Sequence, residues 1–256
     1  VSTATKATVG KFVWRELTTT DMARAEAFYT ELFGWRVEQT PMADGKTYPL
    51  LVGPTGHFGG LMQLEGVPSN WLTYVEVENV DAATERAVAL GAQVIVQPRD
   101  IVDVGRFSII LDPQGAAIAP FSDATATGED PEPQLPPVGG ITWTELLTSD
   151  VDAAVRFYTE VIGWTTEKYD MGGQEYTVFK RGERLEGGVM AKPAELPASL
   201  WLINFRVADV EKARADVTRL GGQLIGSIIE VPTIGRVAWA IDPTGAVFAM
   251  HEAVEE

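Results

Sequence analysis

The sequence predicts an α+β fold: four βαβββ modules that form two domains with curved, cup-shaped sheets. Three observations predict it. The segment WRELTTTDMARAEAFYTELFGW, from Trp14 to Trp35, is echoed by WTELLTSDVDAAVRFYTEVIGW, from Trp143 to Trp164, so the chain carries a duplication. Inside each half, a strand pattern, an amphipathic helix pattern and three more strand patterns occur twice. A stretch rich in proline, glycine and acidic residues separates the halves and lacks periodicity.

The elements follow in order. FVWREL, from Phe12 to Leu17, has the aromatic and β-branched content of a strand. Asp21 caps a helix in which Met22, Ala25, Phe28, Tyr29, Leu32 and Phe33 share one face, and Gly34 ends it. WRVEQT, YPLLV and GGLMQL read as three short strands. The pattern then restarts: WLTYVEV is a strand, VDAATERAVAL a helix with Val80, Ala83, Ala87, Val88 and Leu90 mostly on one side, and Gly91 closes it. AQVIVQP, GRFSIIL and AAIAPF are strands, with Asp112-Pro113-Gln114-Gly115 as the turn before the last. The second half repeats these landmarks at offset 129 in its opening segment. Gly59-Gly60-Leu61-Met62 matches Gly187-Gly188-Val189-Met190 at offset 128, and Trp71-Leu72 and Asp112-Pro113 recur at offset 130. The drift puts short insertions in loops. The domains are therefore expected at 1–122 and 140–256, with the linker at 123–139. Each module has one helix to cover one sheet face, so two modules side by side are expected to enclose the other face as a cup.

Composition bounds the function. A formal net charge of −16 opposes binding to nucleic acid and to anionic membranes. The absence of cysteine excludes disulfides, thiol nucleophiles and thiolate metal sites. The N-terminal segment has no apolar core of signal-peptide length, and no apolar run approaches the ~20 residues of a membrane helix. The expected setting is cytoplasmic and the expected partner a small molecule, with the chain a monomer or homodimer.

The module order, the Asp-capped helices ending FYTELFGW and FYTEVIGW, the VDAA…ALGA and LGGQLI segments, and the turns DPQG and DPTG together resemble the vicinal oxygen chelate superfamily. This is the group of glyoxalases, bleomycin-resistance proteins and extradiol dioxygenases. The resemblance covers nearly the whole chain outside the linker and termini. In metal-using members it implies one ligand on each of three strands. The matching positions here hold Trp14, Leu72 and Ala119 in the first half and Trp143, Leu202 and Ala249 in the second, and none can bind a metal. A one-residue slip offers only Thr73 or Ile203. The two histidines, His57 and His251, lie elsewhere. No metal and no other cofactor is expected.

Strand alternation puts Glu16 on the side of Trp14, and Glu145 on the side of Trp143. It adds Tyr74, Glu76 and Phe121 from the second module, and Asn204, Arg206 and His251 from the fourth. If module one faces module four, and two faces three, then Trp14, Glu16, Asn204, Arg206 and His251 form one set. Trp143, Glu145, Tyr74, Glu76 and Phe121 form the other. Glu16, Glu145 and His251 are the candidates for proton transfer, and the remaining residues of both sets the candidates for ligand contact. Each has a plainer reading. The tryptophans can be core residues, the glutamates ion-paired (Glu16 with Arg206), His251 a strand-end residue, and His57 a residue of a glycine-rich rim. Three functions fit: a metal-free binder of an aromatic or hydrophobic small molecule, of the drug-binding or resistance type; a metal-independent isomerase, lyase or accessory oxygenase of secondary metabolism, with a glyoxalase-like lyase using unusual ligands as a variant; or a scaffold filled by its own side chains.

Overall fold

A computed structural model describes residues 8–42, 45–124, 134–171 and 175–254. The expected linker at 123–139 falls largely on 125–133, outside the described residues. The element order is βαβββ repeated in four modules. The first holds β1 (Phe12–Thr19), α1 (Met22–Phe33), β2 (Arg36–Pro41), β3 (Thr47–Gly53) and β4 (Gly56–Gln63). The second holds β5 (Asn70–Glu76), α2 (Val80–Ala89), β6 (Gln93–Ile101), β7 (Gly105–Leu111) and β8 (Ala117–Asp123). The third holds β9 (Ile141–Thr148), α3 (Val151–Ile162), β10 (Thr165–Asp170), β11 (Glu175–Arg181) and β12 (Arg184–Ala191). The fourth holds β13 (Leu200–Arg206), α4 (Val210–Arg219), β14 (Gln223–Val231), β15 (Gly235–Ile241) and β16 (Val247–Ala253).

The helix boundaries are set by local chemistry. Asp21 and Asp150 accept from the backbone N–H groups of Arg24 and Ala153 at the starts of α1 and α3. Gly34 and Gly163 end those helices in the left-handed region, at φ of 70° and 88°. No described helix is long and apolar enough to cross a membrane.

The strands form two eight-stranded sheets, in the orders β2-β3-β4-β1-β5-β8-β7-β6 and β10-β11-β12-β9-β13-β16-β15-β14. This corrects the expectation of cup-shaped sheets. Each sheet grows linearly from a central pair of first strands, and its ends, β2 and β6 or β10 and β14, do not pair with one another. Neither sheet is closed or strongly curled.

The chain folds into two compact units. The first comprises Val1–Trp14, Thr73–Pro133 and Glu145–Trp201, and the second Arg15–Leu72, Gln134–Thr144 and Leu202–Glu256. Each unit thus joins a module of one half to a module of the other, and each has its own core. In the first unit Val75, Val80, Ile110 and Ile118 pack with Phe157, Val161, Phe179 and Trp201. In the second, Phe28, Tyr29, Phe33, Leu51 and Trp71 pack with Phe205, Val217 and Phe248.

The repeated motifs meet in these cores. In the first unit, Trp201 Nε1 donates to Tyr158 Oη at 3.0 Å, and that hydroxyl donates to Asp112 Oδ2 at 2.9 Å. Asp112 Oδ1 accepts from the backbone N–H groups of Gln114 and Ala116, both at 2.9 Å, and so holds its own turn. In the second unit Trp71 Nε1 donates to Tyr29 Oη at 3.0 Å, and Asp242 organises the matching turn through Thr244, Gly245 and Ala246. Burial first, and the nearby Asp242 or Asp112 charge second, push both phenols well above their ordinary value. The Tyr of FY, the Trp of WL and the Asp of DP are therefore parts of one buried polar cluster in each unit. The tryptophans of GW act similarly: Trp35 Nε1 donates to Gly139 O at 2.8 Å, and Trp164 Nε1 to Gly10 O at 2.7 Å.

Candidate functional site

Glu16 stands on β1, directly opposite Gly60 of the parallel strand β4. Leu50 of β3 is the antiparallel partner of that same glycine. Tyr48, two residues before Leu50, therefore reaches over Gly60 toward Glu16, and its Oη donates to Glu16 Oε2 at 2.8 Å. Only glycine fits at position 60: a Cβ there would overlap Tyr48 Oη and Cζ and come within 2.7 Å of Cε1. The second half repeats the arrangement. Glu145 of β9 is opposite Gly188 of β12, Val178 of β11 pairs with Gly188, and Tyr176 precedes Val178 by two. Tyr176 Oη donates to Glu145 Oε1 at 2.5 Å. Burial pushes the Glu145 carboxyl up to about 7, against the lowering effect of the Tyr176 hydrogen bond.

These two acid–phenol pairs contain two of the residues expected from strand alternation, and two that sequence reasoning missed, Tyr48 and Tyr176. A signal existed. The tyrosines are related by the same offset of 128 as the paired glycines.

The other expected residues are distributed as follows. In the first unit, Tyr74 is buried with its ring centroid 6.1 Å from Phe107 and 6.2 Å from Phe121. Glu76 is buried at the register position opposite Phe121, and both its oxygens accept from Asp123 N, at 3.3 and 3.2 Å. In the second unit, Asn204 is buried opposite Ala249, and Arg206 opposite His251. Arg206 Nη1 donates to Pro136 O at 2.9 Å. His251 Nε2 lies 3.1 Å from Ile234 O, and burial holds its pKa below the ordinary imidazole value. Trp14 and Trp143 are both half-buried. Trp14 belongs to the unit of Tyr74, Glu76, Phe121 and Glu145, and Trp143 to that of Glu16, Asn204, Arg206 and His251. The boundaries between the units fall inside β1 and β9, next to these tryptophans. His57 is exposed on β4 and faces Glu38 Oε2 at 3.0 Å.

The family's metal does not fit this chain. Among the described residues, no three His, Cys, Asp or Glu side chains are grouped so as to hold an ion. Leu72, Ala119, Leu202 and Ala249, at four of the six ligand positions, are buried and offer no donor atom. Two surface clefts lie beside the β6–β7 and β14–β15 turns. The larger, about 410 Å³, is lined by residues that include Asp81, Asp100, Asp103 and Arg106, and neither cleft is lined by an acid–phenol pair.

Residues 11–119 match the model of the Glyoxalase/Bleomycin resistance protein/Dioxygenase superfamily, and residues 141–182 that of the Bleomycin resistance protein-like N-terminal family. "Putative glyoxylase CFP32" of Mycobacterium tuberculosis is 34% identical over 249 residues, covering 93% of this chain and 92% of that protein. The chain belongs to the glyoxalase/bleomycin resistance protein/dioxygenase superfamily. It is also similar to another protein of this tandem length, the Anthracycline biosynthesis protein DnrV of Streptomyces peucetius, which is 29% identical over 96% of this chain and 94% of that protein. The Mn(II)-bound glyoxalase from Novosphingobium aromaticivorans shares the superfamily fold at a TM-score of 0.62 and 14% identity, covering 96% of this chain and 83% of that one. The 2,2′,3-trihydroxybiphenyl 1,2-dioxygenase of Sphingomonas wittichii shares it at 0.61 and 14%, covering 95% and 90%.

Proposed function

We propose that this superfamily member is a metal-independent, cytoplasmic binder of an aromatic or hydrophobic small molecule, with repeats at 1–122 and 140–256 joined by 123–139. The ligand's polar group engages a Glu–Tyr pair, and its apolar body contacts aromatic side chains. The carrying observation is that the same pair occurs in both repeats, two residues along the first strand from the position where metal-using members place a ligand. A carboxylate and a phenol together can accept and donate hydrogen bonds to a carbonyl or hydroxyl without an ion. The similarity to a protein named for anthracycline biosynthesis supports an aromatic ligand. Trp14, Tyr74, Glu76, Phe121, Trp143, Asn204 and Arg206 are the proposed ligand contacts. Nucleic acid and membranes are not proposed partners, and the chain acts as a monomer or homodimer.

The test is native mass spectrometry of the purified protein with metal analysis, followed by tryptophan-fluorescence titration with any compound retained. Retention of an aromatic compound without stoichiometric metal is the expected result. Stoichiometric manganese, iron, nickel or zinc with metal-dependent turnover overturns the reading.

One observation favours catalysis as a second reading. A carboxyl poised near 7 is suited to take a proton at neutral pH. Glu145 then acts as general base in an isomerase, lyase or accessory oxygenase. Glu16 and His251 are the lesser candidates for that role. Turnover lost in Glu145→Gln with binding retained supports this reading, and unchanged turnover removes it.

A further inference from the structure

Module four carries a group of hydrogen-bond donors on the side of its sheet away from the core. Ile203, Phe205, Ala238, Ala240, Phe248 and Met250 belong to the core of the second unit. Strand alternation therefore turns Asn204, Arg206, Trp239, Ala249 and His251 to the other face. The register sets them in two adjoining rows. Asn204 and Trp239 flank Ala249, and Arg206 and Val237 flank His251. Only the methyl group of Ala249 stands between the amide of Asn204 and the indole of Trp239.

Asn204 and Trp239 are buried, at 5% and 8% exposure, yet neither the Asn204 amide nor the Trp239 N–H is hydrogen-bonded within the described residues. The bond that Asn204 accepts from Thr142 Oγ1, at 3.2 Å, uses its backbone oxygen. Folded chains leave few buried donors without a partner from protein, solvent or ligand. Neither group is among the fully enclosed unpartnered atoms of the chain, so an acceptor from outside can reach it. Arg206 adds a charge. Its guanidinium is half-buried, donates from Nη1 to Pro136 O at 2.9 Å, and forms no ion pair with a described residue. A carbonyl positions a guanidinium without neutralising it. Acidic residues outnumber lysine and arginine 36 to 20, yet none of the described ones pairs with this cation. On β16 the acid next to His251, Glu252, is taken by Arg236 at 2.6 Å.

We infer that this face of module four is an anion site, and that its ligand is an aromatic carboxylate. Arg206 holds the carboxylate, and the Asn204 amide donates beside it from the same strand face. The Trp239 N–H meets a further acceptor of the ligand across Ala249. The inference rests on the aromatic-ligand reading above and gives that ligand its charge. The first repeat lacks the set. The positions related by the offset of 130 hold Tyr74, Glu76, Ile109 and Phe121. There the rings of Tyr74 and Phe121 pack together, and a carboxyl that accepts from Asp123 N replaces the cation. One site per chain follows.

The test titrates the full chain with naphthoate and with the matching neutral naphthamide by calorimetry, and follows the indole N–H signals by NMR. Naphthoate is expected to bind once per chain, about tenfold more tightly than naphthamide. It is expected to shift the Trp239 signal, identified by its loss in Trp239→Phe. The signals of Trp35, Trp71, Trp164 and Trp201, whose N–H groups are hydrogen-bonded, stay in place. Arg206→Gln is expected to abolish the preference for naphthoate. An unchanged Trp35 signal in that variant shows that the segment around Gly139 has kept its place. Asn204→Leu, which does not touch that segment's carbonyl, is expected to weaken naphthoate more than naphthamide. Equal affinity for the two compounds, or a preference that survives Arg206→Gln, overturns the anion site and leaves the aromatic-ligand reading standing. Binding of neither compound also overturns the inference, while the reading above is judged separately, by the compound that the purified protein retains.

Discussion

Replacing Gly60 with alanine tests how the Glu16 pair is built. The new Cβ would overlap Tyr48 Oη and Cζ and come within 2.7 Å of Cε1, so the ring must leave. Its departure breaks the 2.8 Å bond to a Glu16 side chain that is only 5% exposed. Leaving a buried polar group without its partner costs ~1–3 kcal/mol, and forcing an extra methyl into a packed site costs ~1–3 kcal/mol. A loss of about 3 kcal/mol is the central expectation, equivalent to roughly 6–12 °C in Tm for a chain of this size. The discriminating measurement is a double-mutant cycle by urea denaturation. In a Tyr48→Ala background no ring remains to be displaced. Gly60 has no left-handed φ to protect, so alanine then only restricts the unfolded chain and is expected to be neutral or to stabilise by ~0.4–1 kcal/mol. If Gly60→Ala costs the same in both backgrounds, the penalty comes from the backbone, and the account of the glycine as a seat for the tyrosine is wrong.

Glu145 makes stability depend on pH in an unusual direction. The folded chain holds its proton up to about pH 7 and the unfolded chain releases it near the ordinary 4.5, so the folded state binds more protons across that window. Stability contributed by the protonated form is therefore lost as pH rises through the window, on the order of 2–3 kcal/mol for this partly exposed group. Glu145→Gln is expected to flatten the difference in urea midpoints between pH 5 and pH 8, and parallel shifts in mutant and parent would refute it. Tyr158→Phe leaves Trp201 Nε1 and Asp112 Oδ2 without their shared partner, at an expected cost of about 3 kcal/mol, and a loss below ~1 kcal/mol in urea unfolding would show the cluster to be slack. Glu252 accepts from the Val210 N–H in the first turn of α4, beside the Asp209 cap, and is held by Arg236, so Glu252→Ala is expected to cost about 1 kcal/mol; an unchanged Tm would refute that contribution. Exhaustive chelation is expected to leave the Tm unchanged, and a drop of several degrees in calorimetry would reveal a structural metal.

The features legible in the sequence were those written in local chemistry or in repetition. Asp21, Asp150, Gly34 and Gly163 mark helix ends with groups that act within a few residues of chain, and they could be read without knowing what packs against them. The acid–phenol pair is different. Glu16 and Tyr48 are 32 residues apart, and their contact depends on the registers of β1, β3 and β4 meeting at Gly60. Strand alternation assigns Glu16 to a face but cannot name what shares that face from a neighbouring strand. The same limit explains the misplaced curvature. Module order predicts that first strands lie together, whereas closure depends on whether β2 can meet β6, and no short motif encodes that. The double glycine of GGLM was the readable trace of both contacts. It recurs at offset 128 beside a tyrosine of the same offset, in a strand where glycine weakens the ladder unless another group needs the space. In the first repeat that group is the Tyr48 ring on its way to Glu16. The repeated glycine is thus best read as evidence for the phenol, and a phenol is what the first strand's carboxyl meets in each half.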